Sequence, residues 1–167
     1  MNEKLYNEFI DICKRLNEIN IIPLLMGSLG LEYISDIDWN PGDIDIHVPG
    51  DKRGWEAADE DRIFNFDKIQ TIMEDMGYVL EDIHEHSFIK DNVLVEFGGL
   101  DTLPEFANVD ISSLEEINKD GAKFLVPSLE DYLKIYEASS KDSYRNENNN
   151  NKDFVKIEYL RKKMRIR

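Results

Sequence analysis

Three observations predict an α/β (α+β) fold, a mixed β-sheet flanked by helices. Apolar residues at Leu5, Phe9, Ile12, Cys13, Leu16 and Ile19 recur at helical spacing. Short apolar runs at Ile21–Met26, Asp43–Val48 and Val93–Phe97 have the length and bounding turns of strands. The order along the chain is helix, strand, helix, strand, helix, several strands, then helices, which suits one sheet covered by helices. With 167 residues, 41% hydrophobic and 33% charged, the chain fits a single soluble domain over 1–167, its C-terminal helices from about 128 packing on the rest.

Each element has a local reason. Residues 3–19 carry the first amphipathic stripe. In Ile21–Met26, Pro23 lacks an N–H and belongs at a strand edge or start. Gly27-Ser28 opens a short helix to about Ile34, and 35–42 is a loop around Trp39-Asn40-Pro41-Gly42. A strand follows over Asp43–Val48, then a polar insertion from Pro49 to about Asp61. Ile63, Phe66, Ile69, Ile72, Met73 and Met76 mark a helix that Gly77 ends. Tyr78–Leu80 and Ser87–Ile89 are extended, and 88–97 forms a hairpin turning at Asp91-Asn92. Lys123–Val126 is a short strand. Ser128 caps a helix to about Ala138, with Asp131 at the reciprocal capping position. The run 146–151 is a low-complexity loop. The last helix starts near Lys152 and carries Phe154, Ile157, Leu160 and Met164 on one face.

Charge and composition exclude several classes. Net charge is −15, from 20 basic and 35 acidic residues. Residues 1–151 hold 13 Lys/Arg against 33 Asp/Glu, and 152–167 hold 7 against 2. So acidic a body repels a long nucleic acid but tolerates a nucleotide arriving with a cation, and it suits a cationic acceptor. No apolar stretch approaches the roughly 20 residues of a membrane helix. The N-terminus opens an amphipathic pattern rather than a signal peptide, and a single cysteine, Cys13, forms no internal disulfide; both point to the cytoplasm. A complete (β/α)₈ barrel needs roughly 200 residues or more.

The chemistry-bearing residues are acids and a glycine turn. Asp43 and Asp45 leave one face of a strand, roughly 6–7 Å apart. Such a pair either faces water at a strand end or holds a hard divalent cation such as Mg²⁺ or Mn²⁺. Glu96 is an acid inside the apolar run Val93–Phe97, expensive there unless paired, metal-bound or turned out of an edge. A strand over 93–97 beside one over 43–48 brings Glu96 to the aspartates, as a third ligand or as the base on a hydroxyl. Gly27-Ser28 either starts a helix or also offers backbone N–H groups and a hydroxyl to a phosphate.

Together, Met26-Gly27-Ser28, a spacer of 14 residues, Asp43-Ile44-Asp45-Ile46 and a later acid resemble the nucleotidyltransferase superfamily of polymerase β type. The small bacterial members that it is similar to include lincosamide and aminoglycoside nucleotidyltransferases. The resemblance spans roughly 21–100 and extends to Lys152-Asp153 and Ile157…Leu160 near the C-terminus. It implies a nucleotidyltransferase-like fold and a metal-dependent enzyme that moves a nucleoside monophosphate from a triphosphate to a hydroxyl. It further implies Asp43, Asp45 and Glu96 as catalytic metal ligands, and Gly27, Ser28, Lys152 and Lys156 at the nucleotide. The acceptor is expected to be a small molecule, with no membrane and no long nucleic acid as partner. A non-catalytic nucleotide-binding or antitoxin-like protein of the same fold is the alternative.

The spacer holds a second pair, Asp36-Ile37-Asp38, but only the later pair opens the alternation Ile44, Ile46, Val48. His47 continues the face of Asp43 and Asp45, flanking the metals or simply satisfied at the surface. Lys152 and Lys156, one turn apart, reach the triphosphate or form a solvated basic face. Lys52, Arg53 and Trp55 lie in the insertion, where Trp55 stacks on a ring or anchors a loop. His84-Glu85-His86 has zinc-ligand character but no partner at suitable spacing. Tyr144-Arg145 is a weaker pocket candidate.

Overall fold

The computed structural model describes residues 2–141 and 152–166. The elements are α1 (Glu3–Glu18), β1 (Leu24–Met26), α2 (Gly27–Ser35), β2 (Ile44–Val48), α3 (Phe66–Asp75), β3 (Val79–Asp82), β4 (Ser87–Lys90) and β5 (Val93–Gly99). They continue as α4 (Leu103–Ala107), β6 (Glu115–Lys119), β7 (Ala122–Val126), α5 (Leu129–Ser140) and α6 (Lys152–Ile166). Seven strands form one mixed sheet in the order β3-β4-β5-β2-β1-β7-β6. β2 pairs parallel with β5, and β1 parallel with β7; the other neighbours are antiparallel.

Alternation decides which face each side chain takes. Ile44, Ile46 and Val48 of β2, with Val93, Val95 and Phe97 of β5, enter the main core with the apolar stripes of α1 and α3. On the opposite face, Leu24 and Met26 join Leu103 and Ala107 of α4 and Ile135 of α5 in a second cluster. That leaves Asp45, His47 and Glu96 on the sheet face beside α4 and α5, away from the main core. A third cluster packs Leu31 of α2, Tyr132 and Tyr136 of α5, and Ile157 and Leu160 of α6.

The fold differs from the sequence expectation at several places. β1 covers only Leu24–Met26, since Pro23 donates nothing; its carbonyl instead accepts from Leu125 N–H at 2.8 Å. Asp43 falls at a bend before β2 rather than inside the strand. α3 starts at Phe66, because Ile63 bridges to Gly50 and ties the insertion down. Ser128 caps α5 by accepting from Asp131 N–H at 3.1 Å, but the Asp131 carboxylate accepts from Ser113 Oγ instead of closing a reciprocal box. Phe154 is 48% exposed, so α6 buries Ile157 and Leu160 without it. The sequence reading lacked β6 and α4. β6 is an exposed edge strand whose Glu115-Glu116-Ile117-Asn118-Lys119 carries one apolar residue, and it folds back on β7 through Asp120-Gly121. The run 146–151 and the pair Tyr144-Arg145 lie outside the described residues.

Gly30 shows how closely α2 and α5 approach β1. A Cβ there would collide with Tyr132 Oη and come within 2.8 Å of the Leu25 carbonyl oxygen. Backbone cannot swing away as a flexible side chain can. Gly30→Ala is therefore expected to lower the unfolding free energy by about 2 kcal/mol or more in urea melts. Gly42→Ala, with nothing within 4 Å of the added carbon, should stay within about 0.5 kcal/mol of the parent.

Candidate active site

The site is built across three adjacent strands, at the C-terminal end of β1. In register, Met26 of β1 lies opposite Asp45 of β2, and Asp45 lies opposite Glu96 of β5. Asp45 and Glu96 are thus side-by-side neighbours on one face, with strand axes about 4.8 Å apart. The next pair along is His47 and Gly98. His47 Nε2 is 3.5 Å from Asp45 Oδ1. A Cβ at Gly98 would come within 2.7 Å of that ring nitrogen, so the imidazole lies flat over a position that only glycine leaves open. His47 Nδ1 is buried without a hydrogen-bond partner among the described residues.

The end of β1 delivers the glycine turn. Gly27 has φ +66°, a conformation that side chains disfavour, and its Cβ position would be 3.1 Å from Asp45 Cβ. The turn therefore lies directly against the aspartate. Tyr132 Oη donates to the Gly27 carbonyl at 3.1 Å, fixing it from α5. Ser28 does not cap α2, whose N-cap is Met26 without a side-chain bond. Instead Lys156 Nζ on α6 donates to Ser28 Oγ at 2.8 Å and lies 5.2 Å from the Tyr136 ring centroid. A hydroxyl, an ammonium and the first turn of a helix thus meet at one place, an arrangement that attracts phosphate oxygens.

Burial and like charge act together on Glu96. Burial pushes its carboxyl up to about 7, with Asp45 and then Asp43 adding repulsion, followed by Glu85 and Glu81. A carboxyl poised there exchanges protons near neutral pH, the property a general base needs. Glu96 and Asp45 line a cleft of about 790 Å³ that also takes in Gly27, Trp55, Arg62 and Phe106. Among the described residues, no three His, Cys, Asp or Glu side chains are grouped as a metal site.

The other sequence candidates fall as follows. Asp36 and Asp38 lie in the loop after α2, where Asp36 is its left-handed C-cap and Asp38 accepts from Asn40 N–H at 2.7 Å. His84 Nδ1 is 3.0 Å from Asp59 Oδ1, and His86 Nε2 is 2.9 Å from the Asp59 carbonyl, so these histidines brace the insertion. Lys152 begins α6, but its side chain lies outside the described residues. Sequence reasoning missed Tyr132, Gly98 and the wall formed by α4. The pair Gly98-Gly99 closing an apolar strand was the available signal of a close approach. Nothing local marks Tyr132, whose partner is 105 residues away.

This architecture is nucleotidyltransferase-like. Two structures of the antibiotic-resistance factor ANT(2'')-Ia match it with TM-scores of 0.57 and 0.54 at 16% and 13% identity. They cover 99% and 98% of this chain and 96% and 99% of theirs; the second is a complex with adenylyl-2''-tobramycin. A nucleotidyltransferase-like protein from Paracoccidioides brasiliensis matches with a TM-score of 0.57 at 17% identity, over 95% of this chain and 76% of that one. No family model matches the chain. It belongs to the same family as the uncharacterized protein YnaI of Bacillus subtilis (strain 168), with 42% identity over 166 residues, 97% of this chain and 99% of YnaI. No helix among the described residues is long and apolar enough to cross a membrane.

Glu96 gives stability a definite pH dependence. Folding raises its carboxyl from 4.5 to about 7. Between those values the folded protein holds a proton that the unfolded chain has released. This contribution is therefore fully present below pH 4.5 and is lost as pH rises through about 7. Glu96→Gln should remove the loss. At about pH 8 the variant is expected to exceed the parent by on the order of 1–2 kcal/mol, allowing for solvent screening. Urea melts of both proteins at about pH 5 and 8 check this; parallel pH profiles would contradict it.

Proposed function

We propose that the protein is a nucleotidyltransferase, moving a nucleoside monophosphate from a nucleoside triphosphate to a hydroxyl of a small-molecule acceptor. The observation that carries this reading is the register Asp45 to Glu96, with Gly27 against Asp45 on the other side. It brings Asp45 within one strand spacing, and Glu96 within two, of a turn suited to phosphate. The adenylylated tobramycin held by ANT(2'')-Ia supports a small molecule as acceptor.

The residues divide the work. Gly27 and Ser28, with Lys156, hold the triphosphate through backbone N–H groups, a hydroxyl and ammonium charge. Glu96 accepts the proton of the acceptor hydroxyl. The freed oxygen attacks the α-phosphorus in line, a new P–O bond forms, and the bond to the bridging oxygen breaks. Pyrophosphate leaves with that electron pair. Positioning and charge neutralisation supply the rate, as in phosphoryl transfer generally. Asp45 and Glu96, neighbours in register, with Asp43 close enough to repel Glu96, would be the carboxylates to hold a hard divalent cation, whose charge would relieve that repulsion; no three such side chains group as a metal site among the described residues. Mg²⁺ or Mn²⁺ held there would neutralise phosphate charge and acidify the acceptor hydroxyl.

Thermal melts with each of the four nucleoside triphosphates and Mg²⁺ test the reading. At least one triphosphate should raise the melting temperature by mass action. Asp45→Ala and Asp43→Ala should remove that rise while leaving the unliganded protein folded. Equal shifts in parent and variants would sink the proposal. Lys156→Ala should weaken triphosphate binding by about tenfold, on the order of one charge-assisted contact.

A further inference from the structure

We infer that Trp55 is a specificity-determining residue that stacks on a planar ring of the acceptor; this rests on the nucleotidyltransferase reading. Trp55 lies in the short turn Gly54–Glu56 of the insertion and is 63% exposed, yet it lines the same cleft as Asp45 and Glu96. A tryptophan that merely anchors a loop buries its ring. This one is held from behind instead. The Arg62 guanidinium lies 4.4 Å from the ring centroid, and the His84 ring is 4.9 Å away. Arg62 is itself 7% exposed and paired with Asp59, whose carboxylate also meets His84. The indole orientation is therefore fixed before anything binds, which lowers the entropy lost on stacking. Phe106, 50% exposed on α4, lines the same cleft and adds a second aromatic surface.

Position across the sheet assigns this wall to the acceptor. The phosphate end, Gly27 with Ser28 and Lys156, lies on the β1 side of β2. Glu96 lies on the β5 side, and His84, which contacts Trp55, leads into β4 beyond it. The group that surrenders its proton to Glu96 is thus flanked by Trp55, with the triphosphate on the far side of Asp45. The exposed indole surface selects for shape: a planar aromatic or heteroaromatic ring bearing a hydroxyl stacks on it, and a sugar without a planar ring does not.

Pyridoxine and 4-hydroxybenzyl alcohol, as planar ring alcohols, and tobramycin, as a polycationic sugar without a planar ring, serve as probes of the full chain. Two indole N–H signals are expected by NMR, and Trp55→Phe identifies the one from Trp55. At least one ring alcohol should move the Trp55 signal saturably and leave that of Trp39 in place. Trp55→Ala should weaken that binding about tenfold, and Trp55→Phe should restore it to within about threefold. Tobramycin should leave the Trp55 signal still. A Trp55 signal unmoved by both ring alcohols, unchanged affinity in Trp55→Ala, or an equal response to tobramycin would each overturn the inference. Triphosphate binding with Mg²⁺ is measured on the same samples. Its absence counts against the nucleotidyltransferase reading, whereas its presence beside a static Trp55 counts against the acceptor assignment alone.

Discussion

Two carboxylates on adjacent parallel strands, Asp45 of β2 and Glu96 of β5, are the constraint around which this structure is organised. Burial of Glu96, with the like charge of Asp45 one strand spacing away adding to it, raises its carboxyl to about 7. The sheet tolerates the strain because the opposite face of the same strands is apolar. Ile44, Ile46 and Val48 with Val93, Val95 and Phe97 bury their side chains in the main core. Burial of that face locks the register, since a slip by one residue would turn the acids inward and the core residues out.

Close backbone approach is the second device. Gly27 against Asp45, Gly30 against β1 and α5, and Gly98 beneath His47 each occupy a place where a Cβ meets another atom within 3.1 Å. These contacts draw the glycine turn, the imidazole and α5 onto the acid pair. Tyr132 and Lys156 then tie α5 and α6 to the turn by hydrogen bonds to Gly27 and Ser28. The C-terminal helices are thereby part of the site, and the basic residues of the last segment bring positive charge to an otherwise acidic body.

The insertion after β2 works differently. Its backbone bridge from Gly50 to Ile63 and the Asp59, Arg62 and His84 contacts hold it against β4. That brace accounts for His84 and His86 as structural partners and leaves the Trp55 ring facing the cleft. Gly27 and Asp45 line the cleft together with the Trp55 and Phe106 rings of the insertion and α4, and Ser28 and Lys156 meet beside the Gly27 turn.

Local pattern made much of this legible. The stripe of α1, the turn at Gly27-Ser28, the alternation that opens after Asp43 and the hairpin ending in Glu96 are short-range signals, and the elements formed where those signals lie. The weakest signals marked what was missed. β6 has one apolar residue to show, and α4 is only Leu103–Ala107. By itself the sequence determined which strands and turns the candidate acids and the Gly27-Ser28 turn lie on, because hydrophobic periodicity and turn residues act over a few positions. Tertiary structure alone decided that β2 would lie beside β5 in the register joining Asp45 to Glu96. It also decided that Tyr132 and Lys156 would reach the turn from 105 and 128 residues away, and that Arg62 would hold Trp55 open to the cleft. Those pairings follow from how whole elements bury their apolar faces, which no local window of the chain contains.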